Sequence, residues 1–155
     1  MVTQTCVTCI FCFQMFFQLK MTIMLSSLEV WSDQSKISTS GDVDELLQRF
    51  LSWKQKFSFQ RFRDMAYLLI YRDHLIHVGA TYHGMACDPK FAAGVALYSK
   101  RITLEAFSVV LVQLLGINLG LTYDNIYNCY CQGATCIMSP EAIFLAVAAW
   151  MNLNR

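Results

Sequence analysis

The longest apolar run of the chain, SVVLVQLLGINLGL at 108–121, constrains the fold more than any other feature. It falls short of the roughly 18–20 uninterrupted apolar residues that cross a membrane, and Gln113 and Asn118 interrupt it. Thr103 offers an N-cap ahead of it, and Glu105 lies in the first turn. The spacing therefore predicts a long helix from there to about Leu119, whose apolar character points to packing inside a core.

The elements before it alternate between strand and helix. MTIMLSSLEVW (21–31) begins as an apolar run with β-branched character and reads as a buried strand, followed by a polar loop at 32–42. Asp42 and Glu45, three apart, form a capping-box pattern. Val43, Leu46, Leu47, Phe50 and Leu51 then keep helical spacing, which predicts an amphipathic helix to about Lys56 with a core-packing stripe. MAYLLIY (65–71) reads as a strand covered on both faces, and AAGVALYS (92–99) as another. Strands alternating with helices imply an α/β sheet. No repeat, low-complexity tract or linker divides the 155 residues, a length that suits one domain with a real core.

Composition narrows the function classes. A net charge of +1 with 15% charged residues gives no basic surface for nucleic acid. A hydrophobic fraction of 55% and a mean hydropathy of +0.39 are high for a free-standing soluble domain. CIFCFQMFFQL (9–19) loosely resembles a signal-peptide core, yet no basic segment precedes it and no small-residue cleavage site follows before Lys20. Seven cysteines fall into three sets: Cys6, Cys9 and Cys12; Cys87; and Cys129, Cys131 and Cys136. An odd number suggests missing partners or free thiols. The C-x2-C-x2-C spacing of the first set has no fourth ligand nearby and apolar flanks, so it reads as chance enrichment rather than a metal site.

The segment QLLGINLGLTYD (113–124) carries the skeleton of a metal motif. A helical zinc site places two histidines at i and i+4 on one face. A glutamate beside the first histidine takes the proton of the zinc-bound water. A glycine three residues after the second histidine ends the helix in a left-handed conformation and turns the chain toward a third. Gly116, Gly120 and Asp124 fall where such a helix and turn want them, without a histidine or glutamate.

On these residues the chain resembles the ADAM metalloprotease-disintegrin family, whose catalytic domains are reprolysin-type metzincins of peptidase family M12B. Their pattern reads His-Glu-x-x-His-x-x-Gly-x-x-His-Asp. Against it, Gln113, Leu114, Ile117 and Tyr123 stand at the reacting positions, while Gly120 and Asp124 are kept. CYCQGATCIMSP (129–140) resembles the family's Cys-x-Cys-x4-Cys-Ile-Met segment, in which Met138 would form the methionine turn. DMAYLLIY, VGATYHGMACDPKFAAGVALY and ITLEAF follow in family order, and the likeness runs from near Met15 to Ile143. It is closest in character to the fertilin and cyritestin group of testis ADAMs.

The resemblance implies an incomplete metzincin domain. Its sheet would be mostly parallel with an antiparallel edge strand, flanked by helices, at 15–143, between a divergent segment at 1–14 and an aberrant tail at 144–155. It implies a local Cys131–Cys136 disulfide, whereas Cys87 and Cys129 would lack their family partners. His74, His77 and His83 would lie around the cleft edge and read as surface or loop histidines.

No zinc chemistry is expected. Ile117 cannot coordinate, Gln113 is a weak neutral ligand, and the Tyr123 phenol ionises only near pH 10. Leu114 removes the general base. The expected function is a catalytically inactive metalloprotease-like domain, acting, if at all, through protein recognition at the cell surface in sperm and fertilisation biology. A residual zinc endopeptidase with displaced ligands and a nonfunctional truncated product are the alternatives. The family is membrane-anchored or extracellular, but this chain has no clear signal peptide or membrane span of its own. Exposed apolar surface predicts self-association.

Overall fold

The computed structural model describes residues 16, 20–57, 65–72, 77–125 and 136–142. Among them, helix α1 (Val43–Phe57) precedes strand β1 (Ala66–Tyr71), β2 (Gly79–Thr81), β3 (Ala93–Tyr98) and helix α2 (Leu104–Asn118). The sheet runs β1-β3-β2, with β1 parallel to β3 and β2 antiparallel to it. It is a small mixed α/β sheet with the antiparallel strand at one edge.

Strand β3 holds the two helices apart. Successive side chains of a strand point to opposite faces. Ala93, Val95 and Leu97 join Val43, Leu46, Leu47, Phe50 and Leu51 of α1 in one buried cluster. Ala96 faces the other way, into a cluster with Phe107, Val110, Leu111 and Leu114 of α2. All five α1 residues of the expected stripe are therefore core. The first α1 turn carries Asp44 and Glu45 and the last turn Lys54 and Lys56, each sign favourable to the helix dipole at its end. At the N-terminus, the Leu46 amide donates to the Asp42 carbonyl at 3.0 Å.

Helix α2 is covered on two sides, which explains a helix apolar nearly all round. One side packs on the sheet. On the other, Val112 and Leu115 cluster with Phe16, flanked by Met21, Ile23, Leu119 and Ile137. Its start is fixed as the sequence predicts: Thr103 caps it, accepting from the Ala106 amide at 3.2 Å.

Two strand expectations need correction. Residues 21–31 form no strand, and Met24, Leu25, Leu28 and Val30 are exposed rather than buried. A strand exists only where a neighbour supplies a hydrogen-bonded ladder, and among the described residues none pairs with this segment. Only Met21 and Ile23 reach the core, by leaning on the α2 cluster. Strand β1 forms where expected but is not covered on both faces: Leu69 and Tyr71 are 42% and 50% exposed. It pairs with β3 alone among the described residues, so it stands at an edge of the described sheet.

Candidate functional site at the end of helix α2

The helix ends in a Schellman motif. Gly120 stands just past the cap with φ of +100°, a conformation that a Cβ would strain. The Gly120 amide donates to the Ile117 carbonyl at 3.0 Å, and the Leu121 amide to the Gly116 carbonyl at 2.8 Å. The chain reverses there and returns past residues 137–139, where the Asp124 amide donates to the Met138 carbonyl at 3.0 Å.

Gln113 joins the same segment from the helix side. It is 2% exposed, and its Nε2 donates to the carbonyls of Ile137 at 2.7 Å and Ser139 at 2.9 Å. Both amide protons are thereby satisfied by the two carbonyls that bracket Met138. The Met138 thioether lies directly against Gly116, where a Cβ would come within 3.1 Å of its sulfur. Helix, turn and methionine segment are thus tied by one side-chain amide, one backbone hydrogen bond and one close packing contact.

The other reacting positions sit in different surroundings. Leu114 is buried in the sheet-facing cluster, and a Cβ on Gly79 would lie 2.7 Å from its Cδ1, so β2 fits closely over it. Ile117 is partly buried, and its carbonyl also accepts from the Gly84 amide at 2.9 Å. Tyr123 is 48% exposed, and burial of its phenol raises its pKa above the ordinary 10.0, which keeps it protonated at neutral pH. Asp124 is partly buried.

Asn118 was not singled out as a site residue. It is wholly buried, and its Nδ2 donates to the carbonyls of Tyr82 at 2.7 Å and, more weakly, Phe91 at 3.4 Å. The Ala86 amide donates to the Asn118 carbonyl at 2.9 Å. The loop after β2 is therefore fastened to the helix terminus, and its Gly84 lies close to Gly120. The signal for both residues was present in the sequence: Gln113 and Asn118 are polar groups in an apolar helix, and buried polar groups need partners.

Cys87 is an exposed free thiol, and Cys136 is disulfide-bonded. Cys6, Cys9, Cys12, Cys129, Cys131 and His74 lie outside the described residues, and with them the expected Cys131–Cys136 pairing. His77 and His83 are exposed. Among the described residues no group of three His, Cys, Asp or Glu could hold a metal ion, and no helix is long and apolar enough to cross a membrane.

Comparison with known proteins places this geometry. The family described as Reprolysin (M12B) family zinc metalloprotease matches residues 1–151. The chain belongs to the reprolysin family. This reprolysin chain is 64% identical over 129 residues to "A disintegrin and metallopeptidase domain 3" of Mus musculus, covering 83% of the chain and 16% of that protein. It is 55% identical over 129 residues to human "Disintegrin and metalloproteinase domain-containing protein 18", covering 83% and 18%. With "Disintegrin and metalloproteinase domain-containing protein 2" of Cavia porcellus it shares 49% over 129 residues, again 83% and 18%. The chain spans less than a fifth of the length of these relatives. Family membership makes the mixed sheet and its two helices a metzincin-type α/β fold, related to metalloproteases.

Proposed function

We propose that this chain is a catalytically silent reprolysin domain whose former metal site serves as a structural joint. The observation that carries this reading is the Gln113 amide, whose nitrogen is engaged by the carbonyls of Ile137 and Ser139. In a zinc site the metal would link the helix to the third ligand position past the turn, held here by Tyr123. Here a neutral amide joins the helix to the methionine segment with no ion required.

The residues present do not fit zinc. Gln113 has only its carbonyl oxygen to offer, a poor ligand beside the His, Cys and carboxylate donors that zinc uses. Ile117 has no donor atom, and the Tyr123 phenol is held neutral. Leu114 packs in the core at the position where a general base would be needed. No step of a hydrolysis is assigned to any of them.

The remaining role is recognition by surface, with a protein partner, and the resemblance to testis ADAMs supports sperm and fertilisation biology as its setting. The apolar side chains exposed at 24–30 make self-association part of the same reading. A peptide-cleavage assay on the refolded full chain, with and without chelator, tests the loss of catalysis. The expected result is background cleavage in both arms. Chelator-sensitive turnover would establish the alternative, a zinc endopeptidase with displaced ligands.

A further inference from the structure

On the face of the sheet opposite the α2 site, a groove of about 820 Å³ runs between the outer side of α1 and residues 36–38. We propose that this groove docks an extended acidic segment of a partner protein. The inference names a surface for the recognition reading above and rests on that reading for its biological role. It does not depend on whether the α2 site binds metal.

Charge is the first argument. Lys36, Arg49 and Lys56 line the groove against a single carboxylate, Glu45. Lys36 is partly neutralised by Glu29, which lies outside the lining and forms an ion pair with it. Lys56 is the main anchor left for a ligand, with Arg49 beside it, whose guanidinium already donates to the Ser40 carbonyl. Lys56 is exposed and forms no ion pair among the described residues. Arg49 approaches Glu45 only at 3.6 Å, with the carboxylate 66% exposed. Such a pair contributes little, so an incoming carboxylate can replace Glu45 without large cost.

The floor argues for a peptide rather than a polyanion alone. Trp53 is held in place by Phe50, stacked at 6.0 Å between ring centres, and by Trp31, edge-on at 5.2 Å. The Lys36 ammonium lies over both indoles, 5.8 Å from Trp31 and 5.5 Å from Trp53, so this wall is already ordered. Trp53 and Ile37 offer apolar surface beside the cations, and Gln48 adds neutral hydrogen-bonding capacity. A chain of alternating apolar and acidic side chains matches both. A sulfated glycan would call for denser positive charge and would leave the indole surface unused.

The test is fluorescence anisotropy with the full-length chain and a labelled peptide of alternating glutamate and leucine. A lysine–leucine peptide and a heparin oligosaccharide form parallel arms. The expected result is saturable binding of the acidic peptide alone, weakened about tenfold or more by Lys56→Glu, as charge reversal at a contact residue does. Lys56 is exposed, so circular dichroism should show the fold unchanged. Gln48→Glu, a second exposed position in the groove, should weaken binding in the same direction. Absence of acidic-peptide binding, wild-type affinity in both variants, or a preference for heparin would each overturn the proposal. None of those outcomes bears on cleavage or zinc content, so failure here and failure of the silent-protease reading can be told apart.

Discussion

Gln113 shows how one side chain can decide the character of a site. Its buried amide donates to the Ile137 carbonyl and to the Ser139 carbonyl, which also accepts from the Ala142 amide, and a buried polar group left without its partner costs about 1–3 kcal/mol. Gln113→Leu should accordingly lower the unfolding free energy by about 1–3 kcal/mol and speed amide exchange in residues 136–142. An unchanged denaturation midpoint would mean that the amide joint carries nothing. Tyr67 gives a second prediction at this scale. Burial raises its phenol well above the ordinary 10.0, with a hydrogen bond to the Thr81 side chain opposing the shift. A raised folded pKa means that its contribution is complete below pH 10 and declines as pH climbs past that value, because only the unfolded chain then ionises freely. Tyr67→Phe should flatten the alkaline loss of stability, read as denaturation midpoints at pH 9 and about pH 11. The sequence made the loss of zinc donors at Gln113, Leu114, Ile117 and Tyr123 legible, since donor chemistry is a property of residue type. It did not reveal what Gln113 and Asn118 bind, because their acceptors come from segments 20 or more residues away, brought near only by the fold.

Among the elements, the contrast between two glycines tests how the site is packed. A Cβ on Gly79 would fall 2.5 Å from the Val95 carbonyl oxygen and 2.7 Å from Leu114, so backbone must move. One on Gly116 would meet the Met138 sulfur at 3.1 Å, and an unbranched thioether can shift. Gly79→Ala should therefore cost about 1–3 kcal/mol, and Gly116→Ala less, by chemical denaturation. Equal costs would contradict the close fit of β2 over Leu114. Helix α1 was readable from periodicity because its buried stripe reports only its own face. Helix α2 was readable from its cap and length. The segment at 21–31 misled because β-branched apolar residues signal that a strand can form, whereas the ladder depends on a neighbour that a local pattern cannot supply. For the same reason, the exposed edge of β1 was not visible in MAYLLIY.

For the whole molecule, the exposed side chains of Met24, Leu25, Leu28 and Val30, with Leu69 at the sheet edge, set the solution behaviour. Sedimentation velocity across a dilution series should show concentration-dependent oligomers. Replacing Met24, Leu25, Leu28 and Val30 together by serine should shift the population toward monomer. A monomeric wild-type chain at every concentration would remove self-association from the account. The central claim, that an amide has taken over the place of a metal, is tested most directly by zinc binding. The refolded full chain, dialysed against zinc and passed through a desalting column, is analysed for metal, and its thermal midpoint is read with and without chelator. Zinc far below one ion per chain and an unchanged midpoint are the predicted result. One zinc per chain, with a midpoint that falls when chelator is added, would contradict it.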